Sequence, residues 1–144
     1  MKIDGIAGER GPVKAAFAIE SFSFGVQNKG NQAAGGGGGG KAAFQSFSFV
    51  KRYNSSSPAL FQAAATGKVL QKAIVEFRAE DGGATFLKYT FSNLTVDDYQ
   101  HGGAAAANTL DQVSFDYAKV EVDYVKAGGG RAKAGYNLAQ NKKF

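Results

Sequence analysis

The sequence has no cysteine, one histidine and two prolines in 144 residues. Without cysteine there are no disulfides and no thiolate ligands for a metal. A lone imidazole, His101, excludes any site that needs two. No stretch reaches the ~18–20 apolar residues of a membrane-spanning helix. The opening Met1-Lys2-Ile3-Asp4-Gly5 has no apolar run, so no signal peptide is expected. The expectation is a chain made in the cytoplasm that, if exported, leaves by a signal-peptide-independent route.

What is present suits one globular domain over residues 1–144. Hydrophobic residues make up 44% and charged residues 20%, a balance that permits a core without staples. The net charge of +5 is unevenly placed. Residues 1–123 carry all the acids and an equal number of bases, so the body is neutral. The excess belongs to Lys126, Arg131, Lys133, Lys142 and Lys143. A neutral body argues against a broad nucleic-acid-binding face. The basic tail, residues 127–144, is expected to be solvated or paired with an acidic neighbour.

Alternation dominates the chain and predicts half-buried strands. Phe22, Phe24 and Val26 alternate with Ser21, Ser23 and Gly25, and Phe47 and Phe49 alternate with Ser46 and Ser48. The two Ser-Phe-Ser-Phe copies suit neighbouring strands with a common face. Val69 to Ala79 places Ala73, Val75 and Phe77 on one side, and Gly82-Gly83 then marks a turn. Two longer strands change phase partway. Leu87, Tyr89 and Phe91 give way to Leu94 and Val96, and Val113, Phe115 and Tyr117 give way to Val120, Val122 and Tyr124. Because the side-chain period is two, each change needs a bulge or sharp bend to keep the apolar face inward. Long bent strands predict a closed barrel or a two-sheet sandwich.

One helix is predicted over about residues 58–66, with Ser57 as N-cap, Pro58 at the first position and Gly67 as a left-handed stop. Residues 28–40 read as a flexible glycine-rich loop ending in six glycines. Residues 101–108 form a second loop, and Gly128-Gly129-Gly130 leads to the tail.

Chemistry is sparse. Gly35 to Lys41 matches the start of a phosphate-binding loop, but Ala42 stands where Ser or Thr would hold magnesium and a strand follows instead of a helix. His101, oriented by Asp97 or Asp98, is a candidate general base at a strand end, poorly preorganised beside a loop. Asp97 and Asp98 are adjacent, so on a strand they face opposite ways. Glu80-Asp81 lie at a turn, and Ser55-Ser56-Ser57 show no nucleophile elbow. Asn54-Ser55-Ser56 and Asn93-Leu94-Thr95 match the glycosylation pattern without a signal peptide to expose them to it. No catalytic, cofactor or metal site is expected.

Several segments, in order, resemble the haemolysin-coregulated protein family, the tube proteins of type VI secretion. They are Asp4-Gly5-Ile6 with Gly8-Glu9, Glu20-Ser21-Phe22-Ser23-Phe24-Gly25, Phe44-Gln45-Ser46-Phe47-Ser48-Phe49, Ser57-Pro58-Ala59-Leu60-Phe61, and Ala65-Thr66-Gly67-Lys68. Phe86-Leu87-Lys88-Tyr89, the alternation from Val113 to Tyr124, and Gly135-Tyr136-Asn137-Leu138 with Asn141-Lys142-Lys143 continue the likeness. The poly-glycine at 35–40, the poly-alanine at 104–107, and Tyr136 in place of an expected tryptophan depart from it.

The resemblance implies a mainly β fold, a small two-sheet barrel with one short helix, similar to phage tail-tube proteins. It implies six-membered rings stacked into a hollow tube, driven by a contractile sheath and expelled with effectors. The implied partners are copies of the chain, sheath, baseplate and spike proteins, and effectors. A tail tube of another contractile device and a nucleic-acid-binding barrel using the basic tail remain alternatives. The candidate ring-stacking loop holds Asn28, Lys29, Asn31, Gln32 and Lys41. Candidate tail contacts are Lys126, Arg131, Lys133, Lys142 and Lys143.

Overall fold

A computed structural model describes residues 1–8, 16–28, 42–79, 84–104, 109–126 and 128–144. The strands in chain order are β1 (Lys2–Ile3), β2 (Ser21–Ser23), β3 (Val26–Asn28), β4 (Ala42–Phe44) and β5 (Phe47–Arg52). Helix α1 (Ser57–Thr66) follows, then β6 (Val69–Arg78), β7 (Thr85–Gly102), β8 (Leu110–Val125), β9 (Arg131–Asn137) and β10 (Lys142–Lys143). The main sheet runs β1-β6-β7-β8-β5-β2, every pairing antiparallel. The long strand β8 holds β7 on one edge. Its other edge holds β5 along the first half and β9 along the second. Strands β3 and β4 form a separate two-stranded ribbon. The fold is mainly β with two sheets and one helix, as expected, and the backbone ladder among the described residues does not close into a barrel.

The alternation explains the core. Phe47 and Phe49 of β5, Val113 and Phe115 of β8, Phe91 of β7, and Ala73 and Val75 of β6 are all buried. Their rings interlock: Phe47 meets Phe91 at 4.9 Å and Phe115 at 5.3 Å, and Phe91 meets Tyr117 at 4.8 Å. Such pairs add about 0.5–1.5 kcal/mol each beyond the area they bury. The two Ser-Phe-Ser-Phe copies do become neighbours, with Phe22 opposite Phe49 and Ser23 opposite Ser48. The first copy ends early, because the chain breaks between β2 and β3 at Phe24-Gly25.

The phase changes resolve together. Phe91 faces Val120 and Leu94 faces Tyr117, so both strands change face at the same rung and the register stays intact. Asn93 supplies the bend by adopting a left-handed backbone, φ 53°, a conformation that asparagine tolerates better than most residues. A separate bulge follows between Val96 and Asp98 and returns Tyr99 to the inner face opposite Val113.

Helix α1 packs on β7. Its boundary differs slightly from the expected one: Ser56 is the N-cap and Ser57 the first helical residue. Gly67 ends it as expected, at φ 67°, its N–H donating to the Ala63 carbonyl. The Gly82-Gly83 turn, Glu80-Asp81 and the poly-glycine run lie outside the described residues. The segment read as a basic tail is a strand of the main sheet, turned back onto β8 through Gly128 and Gly129, both at positive φ.

Candidate assembly surface

The inner face of the sheet ends in charge. Lys51 continues the Phe47-Phe49 phase, Asp111 continues the Phe115-Val113 phase, and the two oppose each other across β5 and β8. Both are fully buried, 2.9 Å apart. The Lys51 ammonium also donates to Ser57 Oγ at 2.7 Å and Asn54 Oδ1 at 3.1 Å. Asp111 accepts from the Ser57 and Tyr99 hydroxyls. Ser57 therefore spends its hydroxyl on this cluster rather than on capping the helix, which has no side-chain cap. Burial raises the Tyr99 pKa, and the Asp111 carboxylate beside it adds to the effect. A buried pair of this kind is stable only when its remaining donors and acceptors are satisfied. Here Ser57, Asn54, Tyr99 and a backbone carbonyl do that. The cluster pins the start of α1 to the open end of the core.

Outside this seal lies a pocket of about 430 Å³ lined by Tyr53, Pro58, Phe61, Tyr99 and His101. Tyr53 packs against His101 at 4.7 Å with the rings tilted by 43°, and Phe61 meets Tyr99 edge-on at 6.0 Å. Tyr53 is 47% exposed and Phe61 61%. Large aromatic side chains left in solvent at one place mark an interaction surface.

The second surface is the β8–β9 face. Arg131 pairs with Asp123 at 2.6 Å and Lys133 with Glu121 at 3.0 Å. Two of the five tail cations thus have acidic partners in their own chain. Lys142 and Lys143 are exposed on β10, opposite Asn137 and Tyr136. Among the described residues they make no ion pair, and neither does Lys126. Of the stacking-loop candidates, Asn28 ends β3 opposite Ala42. Lys29, Asn31, Gln32 and Lys41 lie outside the described residues. The ribbon that carries this loop is held to the body by Phe44, which packs on Tyr136 at 5.0 Å and Tyr117 at 6.3 Å.

The structure does not assemble the candidate base. His101 packs against the Tyr53 ring, and among the described residues no hydrogen bond or ion pair links it to Asp97 or Asp98. Asp97, on the bulge, accepts from Ser46 at 2.9 Å and from Ser114. Asp98 accepts from Gln100. No group of three or more metal-ligating side chains occurs among the described residues.

The Hcp family model of the type VI secretion system, described as a type VI secretion system effector, matches residues 1–124. The chain belongs to the Hcp family. Solved Hcp structures agree with this along the whole chain. Hcp1 from Salmonella typhimurium is 29% identical, covers 99% of this chain and 95% of its own, and has a TM-score of 0.86. Hcp2 from Salmonella typhimurium is 27% identical, with 98% and 95% coverage and a TM-score of 0.76. A type VI secretion effector from Yersinia pestis, 22% identical with 94% and 96% coverage, shares the fold at a TM-score of 0.80. A comparison with curated protein sequences gives no match. The Hcp family is that of the secreted type VI tube protein. The family match stops before β9 and β10, whereas the structural likeness to Hcp1 takes in nearly the whole chain.

Proposed function

We propose that this chain is a non-enzymatic structural subunit of the type VI secretion inner tube. It is a single domain that assembles into six-membered rings, and the rings stack into a tube expelled with effectors. The observation that carries the reading is the full-length likeness to Hcp1 at 29% identity. Two separate surfaces support assembly by a heterologous, ring-closing contact: the exposed aromatic pocket beside α1 and the cationic β10 edge. Sheath, baseplate, spike and effector proteins are the expected partners, and export needs no signal peptide.

The loop from Asn28 to Lys41 is assigned to contact between rings. Negative-stain microscopy and native mass spectrometry of the purified chain test the reading. Six-fold rings are expected, and a monodisperse monomer at high concentration overturns it. Deleting residues 35–40 should leave single rings and prevent their growth into tubes. Normal tubes from that deletion would remove the loop from the contact. The nucleic-acid reading loses ground because Arg131 and Lys133 are engaged within the chain.

A further inference from the structure

Resting on that self-assembly, we infer that copies of this chain join through a rung of lysines on the outer face of the sheet, which docks on Asp97, Asp98 and Asp116 of a second copy. Register sets the rung. Lys72, Ser92, Lys119, Asn137 and Lys142 stand opposite one another in succession across β6, β7, β8, β9 and β10. The neighbours Ala73, Phe91 and Val120 are buried, so Lys72, Ser92 and Lys119 face outward. All three lysines of the rung are exposed and make no ion pair among the described residues. Strands ~4.8 Å apart space them about 10 Å from one another. The other lysines without an ion pair are placed differently. Lys88 lies between Glu76 and Asp123 in its own rung. Lys68 and Lys126 stand outside the strands, and Lys2 and Lys143 occupy other rungs. Among the described residues, this rung alone holds several cations and no acid. Glu121, two residues along β8 on the same face, is already taken by Lys133.

The choice of occupant follows from which acids remain. Among the described residues, the acids outside any ion pair are Asp4, Asp97, Asp98 and Asp116. Asp4, whose N–H donates to the Lys72 carbonyl, stands alone at the end of the rung. The other three lie together and exposed. Ser46 donates to both Asp97 and Asp116, and Ser114 donates to Asp97. Asp98 is the ladder partner of Ser114. Like charges gathered without counter-charge cost free energy at both sites, and joining the sites relieves both. Within one copy they do not meet. Asp116 and Lys119 are three residues apart on β8, about 10 Å, and the bend at Asn93 falls between their rungs, so the outer faces that carry them diverge. Complementary charge on two differently directed faces gives the two unlike halves of a heterologous contact, and the pairing of potentials fixes its register. Three lysines then meet three carboxylates, and the contact leaves no charge over.

Charge reversal tests the contact. Lys119→Glu and Asp116→Lys are made in separate full-length chains, and subunit association is measured by native mass spectrometry and sedimentation. Each variant alone places like charges across the contact and should associate at least about tenfold more weakly than the unmodified chain. Mixed one to one, the two variants should regain assembly. The reversed rung of one then faces the reversed patch of the other, and the two native sites face each other. Copies alternate around an even-membered ring, so every contact is attractive. Recovery in the mixture also shows that each variant is folded. Single variants that associate like the unmodified chain overturn the assignment, and so does a mixture no better than its components. Rings of the unmodified chain would in either case leave the tube reading standing. Absence of rings in the unmodified chain overturns the reading beneath it. A rung that captures duplex DNA, with ring formation indifferent to Lys119→Glu, also overturns the proposal, because the partner is then a polyanion rather than a second copy.

Discussion

The buried Lys51–Asp111 pair makes a severe test of how the core end is sealed. Asp111→Asn keeps one oxygen acceptor where Tyr99 and Ser57 use two, and removes the charge that faces Lys51, 2.9 Å away with both side chains fully buried. An ammonium stranded there without its counter-charge costs about 3–5 kcal/mol. For a chain of this size that lowers the midpoint of thermal unfolding by roughly 10 °C or more. Lys51→Met should cost a similar amount, because Asp111 then stays charged among two hydroxyl donors. The double variant Lys51→Met/Asp111→Asn removes both charges together, and its loss should fall short of the sum of the singles by at least about 2 kcal/mol.

Urea unfolding followed by circular dichroism gives the numbers. Protein concentration must be equal throughout, since assembly adds stability by mass action. Singles that each cost less than about 1 kcal/mol and add independently would refute the claim that this pair seals the core. The cluster also fixes Ser57 and Tyr99, and with Tyr99 one wall of the aromatic pocket beside α1. Asp111→Asn should consequently weaken ring formation even under conditions where the subunit stays folded.

Two further outcomes follow from the backbone and from titration. Asn93→Val, at φ 53°, should destabilise by about 1–2 kcal/mol while Asn93→Gly is near neutral, read from denaturation midpoints. Tyr117 and Tyr99 both have raised hydroxyl pKa values. Burial is the main cause in each, followed by Asp116 for Tyr117 and by the bond to Asp111 for Tyr99. The folded state then holds its phenolic protons where the unfolded chain has released them. Stability should be flat below about pH 10 and fall as pH rises beyond it, and Tyr117→Phe should lessen the fall; a pH series of urea midpoints decides.

Much of the fold was legible because one period, two, is written along most of the chain. Phe47, Phe49, Val113, Phe115 and Phe91 announce their inward face by alternation alone, and all five are buried. The phase changes announced a bend. Alternation does not say which residue bends, and that fell to Asn93, whose short polar side chain is the one nearby that suits a left-handed backbone. The Lys51–Asp111 pair was missed although its signal was present. Each charge sits in the apolar phase of its strand, two residues beyond a buried aromatic or valine. Opposite charges in the apolar phase of two strands are the mark of a buried pair. Ser57 departs from expectation for a related reason: a serine before proline suits a cap, and only tertiary contact shows that Lys51 and Asp111 take its hydroxyl.

The tail shows how topology revises an argument from charge. Counted along the sequence, Lys126, Arg131, Lys133, Lys142 and Lys143 form one basic region available to a partner. Antiparallel pairing of β9 with β8 then sets Arg131 and Lys133 beside Asp123 and Glu121, acids that the sequence had credited to the neutral body. The surplus does not vanish, since charge is conserved, but it moves. Two of the body's acids are spent on β9, so the cations without an ion pair among the described residues include body lysines such as Lys68, Lys72 and Lys88 as well as Lys126, Lys142 and Lys143. Such an arrangement favours a short-range, shape-dependent contact over long-range attraction. Exposed charges beyond about 8–10 Å are screened at physiological salt, so exposed lysines act on a partner only at close range.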